Sequence, residues 1–193
     1  MRAFEAATYF RNTHDRPINR LLERALGHCT FSAAPTALDL GCGAGADTRA
    51  LLALGFSVTA VDSNPLTSPY LHSMKSDRLR FVQSSFEDLP FETYDVINSH
   101  LALPFAGKSV CGQVFYQSAA SLRPGGVFAT NLFGVHDAWN VPESILTFHT
   151  ADEVHAMCTD LDIVYLSERE GDAPTAASHL KYWHVFDIIV RGD

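Results

Sequence analysis

The segment ALDLGCGAGADT, residues 37–48, constrains the fold more than any other part of the chain. A short apolar strand, Thr36–Leu40, runs straight into Gly41, Gly43 and Gly45 at alternate positions. Helical periodicity then begins at once and continues through about Leu54, where Gly55 supplies a stop. A strand, a glycine turn and a helix in immediate succession are the opening of a βαβ unit, which needs a parallel sheet and so excludes all-helical and purely antiparallel folds. Glycine permits positive φ and lets a ligand press on bare backbone, while the helix N-terminus offers unpaired N–H groups. The segment therefore predicts a cradle for a small polar ligand.

The rest of the chain extends the pattern. Ile18, Leu21, Leu22, Ala25 and Leu26 share a helical face behind Pro17. Strands are expected at 57–61, 79–82, 94–98 and 127–133, with a short helix after Asn64-Pro65 and a helical stripe of Val110, Val114, Phe115, Ser118 and Leu122. Thr150-x-x-Glu153 is a capping box ahead of Val154, Met157, Cys158 and Leu161. Two strand-like segments, 163–167 and 181–191, follow with only a polar link between them, so they should pair antiparallel. The expectation is one α/β domain of 193 residues, a doubly wound, mostly parallel sheet ending in an antiparallel edge. Hydrophobic residues make up 47 %, enough for a large core.

Charge and cysteine usage narrow the function. Fourteen basic against 22 acidic residues give a net charge of −8 with no local basic cluster, which argues against nucleic acid. Cys29, Cys42, Cys111 and Cys158 are far apart and read as buried thiols in a reducing compartment. No stretch reaches the length of a signal core or a membrane span, so a cytosolic protein is expected. None of the nine histidines makes a pair with metal-ligand spacing, so no metal is expected.

Asp62 ends the second strand 21 residues after Gly41, about where an acidic side chain meets ribose hydroxyls in nucleotide-binding folds, so the two features together indicate an adenosine-containing cofactor. Gly41-x-Gly43-x-x-Ala46 also satisfies the dinucleotide fingerprint, and an NAD-dependent oxidoreductase stays open on that spacing. Asp39, two residues before the first glycine, favours an ammonium-bearing ligand over a pyrophosphate. Asp95, inside its strand, reads as a local structural carboxylate.

From about Ala37 to Phe133 the sequence resembles the class I S-adenosylmethionine (SAM)-dependent methyltransferases. ALDLGCGAG, VTAVDSN, QSSFEDLPF, YDVINS and LRPGGVF look like that family's first to fifth motifs, in order. The resemblance implies a Rossmann-like, seven-stranded sheet with a reversed final strand and SAM as cofactor. It implies Asp39 with Gly41, Cys42, Gly43 and Gly45 around the methionine moiety, with Asn98 also at the methionine part. Asp62 would hold the ribose diol, Ser63 and Asn64 would lie beside ribose and adenine, and Ser85 and Phe86 at the adenine edge. Ser85 departs from the acidic residue the family often carries there, which implies a weaker, neutral acceptor. NSHLALPF differs from the Asn/Asp-Pro-Pro-Tyr pattern of base-amino methyltransferases, and the closing region looks loosely like tellurite-resistance and related detoxification methyltransferases.

Methyl transfer is a direct displacement that needs alignment and exclusion of water, and a base only when the acceptor must lose a proton. His136 and His149 are the candidate bases. Phe133, Trp139 and Phe148 suggest an apolar acceptor pocket beside the loop 131–139, where Asp137 also lies, whereas Trp183 and His184 read as packing residues. The expected division is an N-terminal lid over residues 1–30 with Tyr9, Phe10 and Arg11 at the site, a cofactor core over 36–133, and a substrate side over 134–193. A small-molecule acceptor is expected. The rival within this reading is a non-catalytic SAM-binding module, in which the loop 131–139 would be solvated.

Overall fold

The computed structural model describes residues 3–193. Two helices, α1 (Ala3–Thr13) and α2 (Arg20–Leu26), precede β1 (Thr36–Leu40), α3 (Ala46–Ala53), β2 (Ser57–Asp62), α4 (Thr67–Ser73), β3 (Leu79–Gln83) and β4 (Tyr94–Ser99). A single 3₁₀ turn, Leu103–Ala106, leads to α5 (Lys108–Ala120), β5 (Leu122–Gly134), the two-residue β6 (Phe148–His149), α6 (Ala151–Cys158), β7 (Asp162–Pro174) and β8 (Leu180–Arg191). The sheet runs β3-β2-β1-β4-β5-β8-β7, parallel from β3 to β5, with β8 antiparallel to both its neighbours and β6 added beside the end of β5. Strand order reverses between β1 and β4, and the crevice at the carboxyl ends there is where open α/β sheets bind ligands.

Period-two alternation divides the strands between two cores. Leu38, Leu40, Ile97, Phe128, Leu132 and Ile188 face α5 and α6, packing on Val114, Phe115 and Val154. Ala37, Val58, Val96, Val127, Ala129 and Ile189 face α2 and α3, packing on Leu22, Leu51 and Phe56. Both faces are thus covered, as a parallel sheet requires. The helix ends follow local chemistry: Asn19 caps α2 by accepting from the Leu22 N–H, and Thr150 with Glu153 forms the expected capping box of α6.

As expected, the sheet ends in an antiparallel pair: the reversed final strand β8 lies between β5 and β7, with β7 at the edge. One feature differs from the pattern reading. The β7–β8 hairpin is longer than expected, because the polar residues 168–174 are strand, held across the pair by Arg169 on Asp187 at 3.0 Å, Tyr182 on Glu170 at 2.9 Å and the Trp183 indole N–H on the Ala173 carbonyl at 3.1 Å. Polar residues solvated on a hairpin arm give no hydrophobic alternation to read.

The segment after β5 is pinned to β8 by a buried ion pair. Lys181 Nζ donates to Asp137 Oδ2 at 2.6 Å and lies 3.6 Å and 4.0 Å from the Trp183 and Trp139 ring centres; the two charged side chains are 4 % and 0 % exposed. The same carboxylate accepts the His184 N–H at 3.2 Å and the Trp139 N–H at 3.0 Å. Removing one member of such a pair strands the other charge. Lys181→Ala should therefore cost about 3–5 kcal/mol, read as a lower urea midpoint at unchanged slope, with Lys181→Ala/Asp137→Ala recovering part of the loss.

Candidate functional site

At the reversal point a cavity of about 580 Å³ opens between the strand ends and the N-terminal segment. Its floor is a network built on Asp39. Asp39 on β1 and Asn98 on β4 are register partners, so the Asn98 amide reaches Asp39 Oδ1 at 2.8 Å and also Asp47 Oδ2, on the first turn of α3, at 3.3 Å. Thr48 donates to the other Asp39 oxygen at 2.6 Å. Asn19 donates to Asp47 through its backbone N–H at 2.8 Å and its amide at 2.6 Å, tying the cap of α2 to the floor. Neither carboxylate has a basic partner among the described residues. Burial, reinforced by the Asp47 charge, pushes the Asp39 carboxyl up to about 7. An unpaired, desolvated carboxylate well is a receptor for a cation.

The glycine loop closes one side. Gly41 has φ +72°, and a Cβ there would stand 2.3 Å from that of Ala102 and 3.6 Å from the Phe86 ring, so only glycine fits. Asp62, at the end of β2, accepts from the Gly43 N–H and the Asn64 N–H, each at 2.8 Å, which fixes the carboxylate while leaving lone pairs on both oxygens. Tyr9 of α1 lies against Gly43, and Phe10, buried beside it, stacks on Tyr70 of α4 with ring centres 5.5 Å apart. Arg11, by contrast, is exposed and donates to Thr8. Ser85 donates to Asp88 at 2.9 Å, so its hydroxyl proton is committed and its lone pairs stay available as an acceptor.

The opposite half of the cavity holds residues that, apart from Asn131 at the start of the loop 131–139, the sequence reading did not single out. His100 follows β4 two positions after Asn98, the spacing that puts alternate strand residues on one face, and this period was the signal that could have found it. Its Nδ1 is 3.1 Å from Asn131 Oδ1, and Asn131 in turn donates to Asp187, its cross-strand partner on β8. Arg169 holds the other Asp187 oxygen. Arg16, Arg20 and Arg24 complete the rim, Arg24 stacked 4.1 Å over Tyr165. No spacing links residues so far apart in the chain.

Of the sequence-predicted cofactor residues, Asp39, Gly41, Cys42 and Asn98 line this cavity, while Gly43 and Asp62, joined by a hydrogen bond, adjoin it with Asn64 on the other Asp62 oxygen. Gly45 packs against Met74 and Leu71, which is a structural reason for its lack of a side chain. No contact of Ser63 with the cavity is seen. The candidate bases are not brought there. His136 is exposed and bonds Glu170 at 3.0 Å, and His149 is buried off the cavity, its Nδ1 without a partner and its charge disfavoured by burial. Within the loop 131–139, Asn131 alone reaches the cavity; Phe133 and Trp139 enclose Lys181, and Phe148 stacks on Phe133, so the expected apolar acceptor pocket is instead the seat of a buried cation.

His136, Glu170 and His184 come within metal-ligand distance of one another. His184 Nδ1 accepts the His136 backbone N–H at 3.1 Å, so the neutral ring carries its proton on Nε2, which donates to Glu168 at 2.8 Å. That nitrogen offers no lone pair, and the group is a hydrogen-bonded cluster. The four thiols are free, and Cys29 is only half-buried, unlike the other three; burial raises the pKa of each, to about 11 for Cys29 and Cys111. Asp95 accepts from the backbone and side chains of Ser32 and Thr36, a structural anchor for the start of β1.

A family model described as a methyltransferase domain matches residues 37–126. No curated protein matches the chain by sequence. Among solved structures, TehB from Haemophilus influenzae superposes with a TM-score of 0.76 at 17 % identity, covering 98 % of this chain and 67 % of that one. The 1,6-didemethyltoxoflavin-N1-methyltransferase of Burkholderia thailandensis, with its namesake and S-adenosylhomocysteine bound, gives 0.65 at 24 % over 94 % and 80 %. The N-methyltransferase NodS from Bradyrhizobium japonicum, in complex with S-adenosylhomocysteine, gives 0.64 at 18 % over 95 % and 87 %. At these identities the structural matches speak for the fold.

The carboxylate well gives this site a pH signature. In the free protein the raised Asp39 value means its contribution to stability is present below the unfolded value near 3.8 and is lost as pH rises through about 7. A cation seated in the well favours the ionised form, so its binding expels that proton. Affinity for SAM should weaken by about tenfold from pH 8 to pH 6, with up to one proton released per ligand in calorimetry across buffers of different ionisation enthalpy. Asp39→Asn should abolish the pH dependence.

Proposed function

We propose that this chain is a class I SAM-dependent methyltransferase and that it methylates a small, negatively charged molecule bound in the cavity between Asp39 and the arginine rim. SAM is the cofactor, and the site's chemistry fits it: a desolvated carboxylate well for a cation, and a fixed carboxylate, Asp62, at the ribose position. When bound, it supplies an electrophilic methyl group on a sulfonium.

We assign the methionine end to Asp39, Asn98, Gly41, Cys42, Gly43 and Gly45, the ribose to Asp62 with Ser63 and Asn64, and the adenine edge to Ser85 and Phe86. The protein's own work is then to orient and to exclude water. Asn98 holds the floor carboxylates, Tyr9 covers the glycine loop, and α1 and α2 act as the lid of residues 1–30. The segment 134–193 serves the acceptor through Tyr165, Arg169 and Asp187. We place the protein in the cytosol, where its free thiols stay reduced; among the described residues no helix is long and apolar enough to cross a membrane.

One observation carries the acceptor reading: four arginines line one cavity of a protein with net charge −8. Arg169 is spent on Asp187 and Arg24 stacks on Tyr165, but Arg16 and Arg20 have no acidic partner among the described residues. One cation answers the cofactor's own carboxylate, and the surplus answers the acceptor. The volume suits small ligands, and a fold neighbour holds a small molecule, 1,6-didemethyltoxoflavin, beside its cofactor product.

Calorimetric titration with SAM, S-adenosylhomocysteine and NAD tests the reading. The first two should bind saturably and NAD should not, and Asp62→Ala should weaken them by about tenfold or more, since a hydrogen bond to a charged group contributes about 1.5–3 kcal/mol. Arg16→Gln/Arg20→Gln should raise the KM of an anionic acceptor by a similar factor, and that of its neutral ester or amide much less. Binding of NAD alone would overturn the assignment of the site.

A further inference from the structure

His100 is held in one tautomer by its neighbours. Asn131 Nδ2 must donate to Asp187, because Asp187 is a carboxylate paired with Arg169. The other end of that amide is therefore the oxygen, as the Leu101 N–H donating to it at 3.0 Å independently requires. Against an amide oxygen, His100 Nδ1 can only be the donor. A neutral imidazole with its proton on Nδ1 leaves a lone pair on Nε2, and no protein group among the described residues engages that nitrogen. The ring lines the cavity in which Asp39 and Asn98 form the floor.

Backbone geometry supports the placement. Leu101, the residue after His100, has φ +51°, an uncommon conformation for a leucine that the Asn131 hydrogen bond holds in place. The charged groups facing the ring are Asp47 from α3, Asp187 from β8 and Arg16 from the segment before α2. Burial keeps the ring neutral at neutral pH, and the two carboxylates stand ready to favour the imidazolium once a proton arrives.

We propose that His100 is the general base of this methyltransferase, taking a proton on Nε2, and that the acceptor is protic at its reacting atom, an O–H or N–H nucleophile. The proposal rests on the methyltransferase reading above. The acceptor's lone pair forms the bond to the methyl carbon as the carbon–sulfur bond breaks and sulfur keeps that electron pair. The O–H or N–H proton passes to Nε2, so the single positive charge that began on the sulfonium ends on the imidazolium. Asn131 is a positioning residue, fixing the tautomer from behind, with Asp187 and Arg169 fixing Asn131.

The test begins with the S-adenosylhomocysteine complex and needs no known acceptor. Long-range proton–nitrogen NMR on histidine-labelled protein, assigned with His100→Gln, should show His100 neutral at pH 7 with Nδ1 protonated and Nε2 bare. Asn131→Ala should release the ring toward the ordinary Nε2–H form. A ring protonated on Nε2 at pH 7 in the wild type would overturn the proposal. In steady-state assays on an anionic phenol, alcohol or amine acceptor, His100→Gln should lower kcat by about 10²–10⁴-fold and remove the low-pH limb, while SAM affinity stays within about twofold. Full turnover by His100→Gln, or turnover of thiols and oxyanions only, would sink the base while leaving the methyltransferase reading intact; failure of the wild type to bind SAM would sink that reading itself.

Discussion

The buried carboxylate of Asp39 and the half-buried one of Asp47 share the amide of Asn98 and have no cationic partner among the described residues, and the rest of the site is arranged around that imbalance. A protein tolerates uncompensated charge in a desolvated place only where hydrogen bonds hold it and a ligand completes it. Thr48, Asn98 and Asn19 provide the first condition. In the proposed function a sulfonium- and ammonium-bearing cofactor provides the second. The parallel sheet makes this possible because β1 and β4 diverge into their helices at the same level, placing Asp39 and Asn98 in register at the open end.

The same network connects the floor of the cavity to the N-terminal helices. Asn19 caps α2 with its side-chain oxygen and grips Asp47 with its N–H groups, so a change at the floor is felt at the start of a helix for which such a cap contributes about 1 kcal/mol. Further out, α1 rests on α4 through Phe10 and Tyr70, and Tyr9 reaches the glycine loop. The opposite half of the cavity has the opposite electrostatics: arginines at the mouth, and behind them a line of Asp187, Asn131 and His100 in which each side chain is held by the one behind it. One end of the cavity favours a cation and the other an anion, and the proposed function rests on that polarity.

How much of this the sequence disclosed follows from where each demand originates. The glycine turn was legible because backbone geometry at Gly41 leaves no alternative residue, and Asp62 because a fixed spacing separates it from that turn. The strand and helix order was legible because burial on two faces imposes periodicity. The antiparallel pairing of β7 with β8 was legible too, but the outer part of β7, residues 168–174, was not, since it is largely solvated and carries no such period. The acceptor side was misread for a related reason: Phe133 and Trp139 looked like an apolar pocket, and only the pairing of strands far apart in sequence shows that they surround Lys181. His100, Asn131 and Asp187 come from three strands or their ends, and nothing short of the register brings them together.

The central claim is that the Asp39 well and the Asp62 carboxylate hold one cofactor, with its reactive end turned toward His100. A crystal structure of the protein with S-adenosylhomocysteine tests this most directly. The account predicts the amino acid moiety in hydrogen-bond contact with the Asp39 network, the ribose hydroxyls on Asp62, and the sulfur facing the side of the cavity that carries His100 and Asn131. A ligand seated elsewhere, or one that leaves the Asp39 carboxylate without a cationic partner, would contradict it.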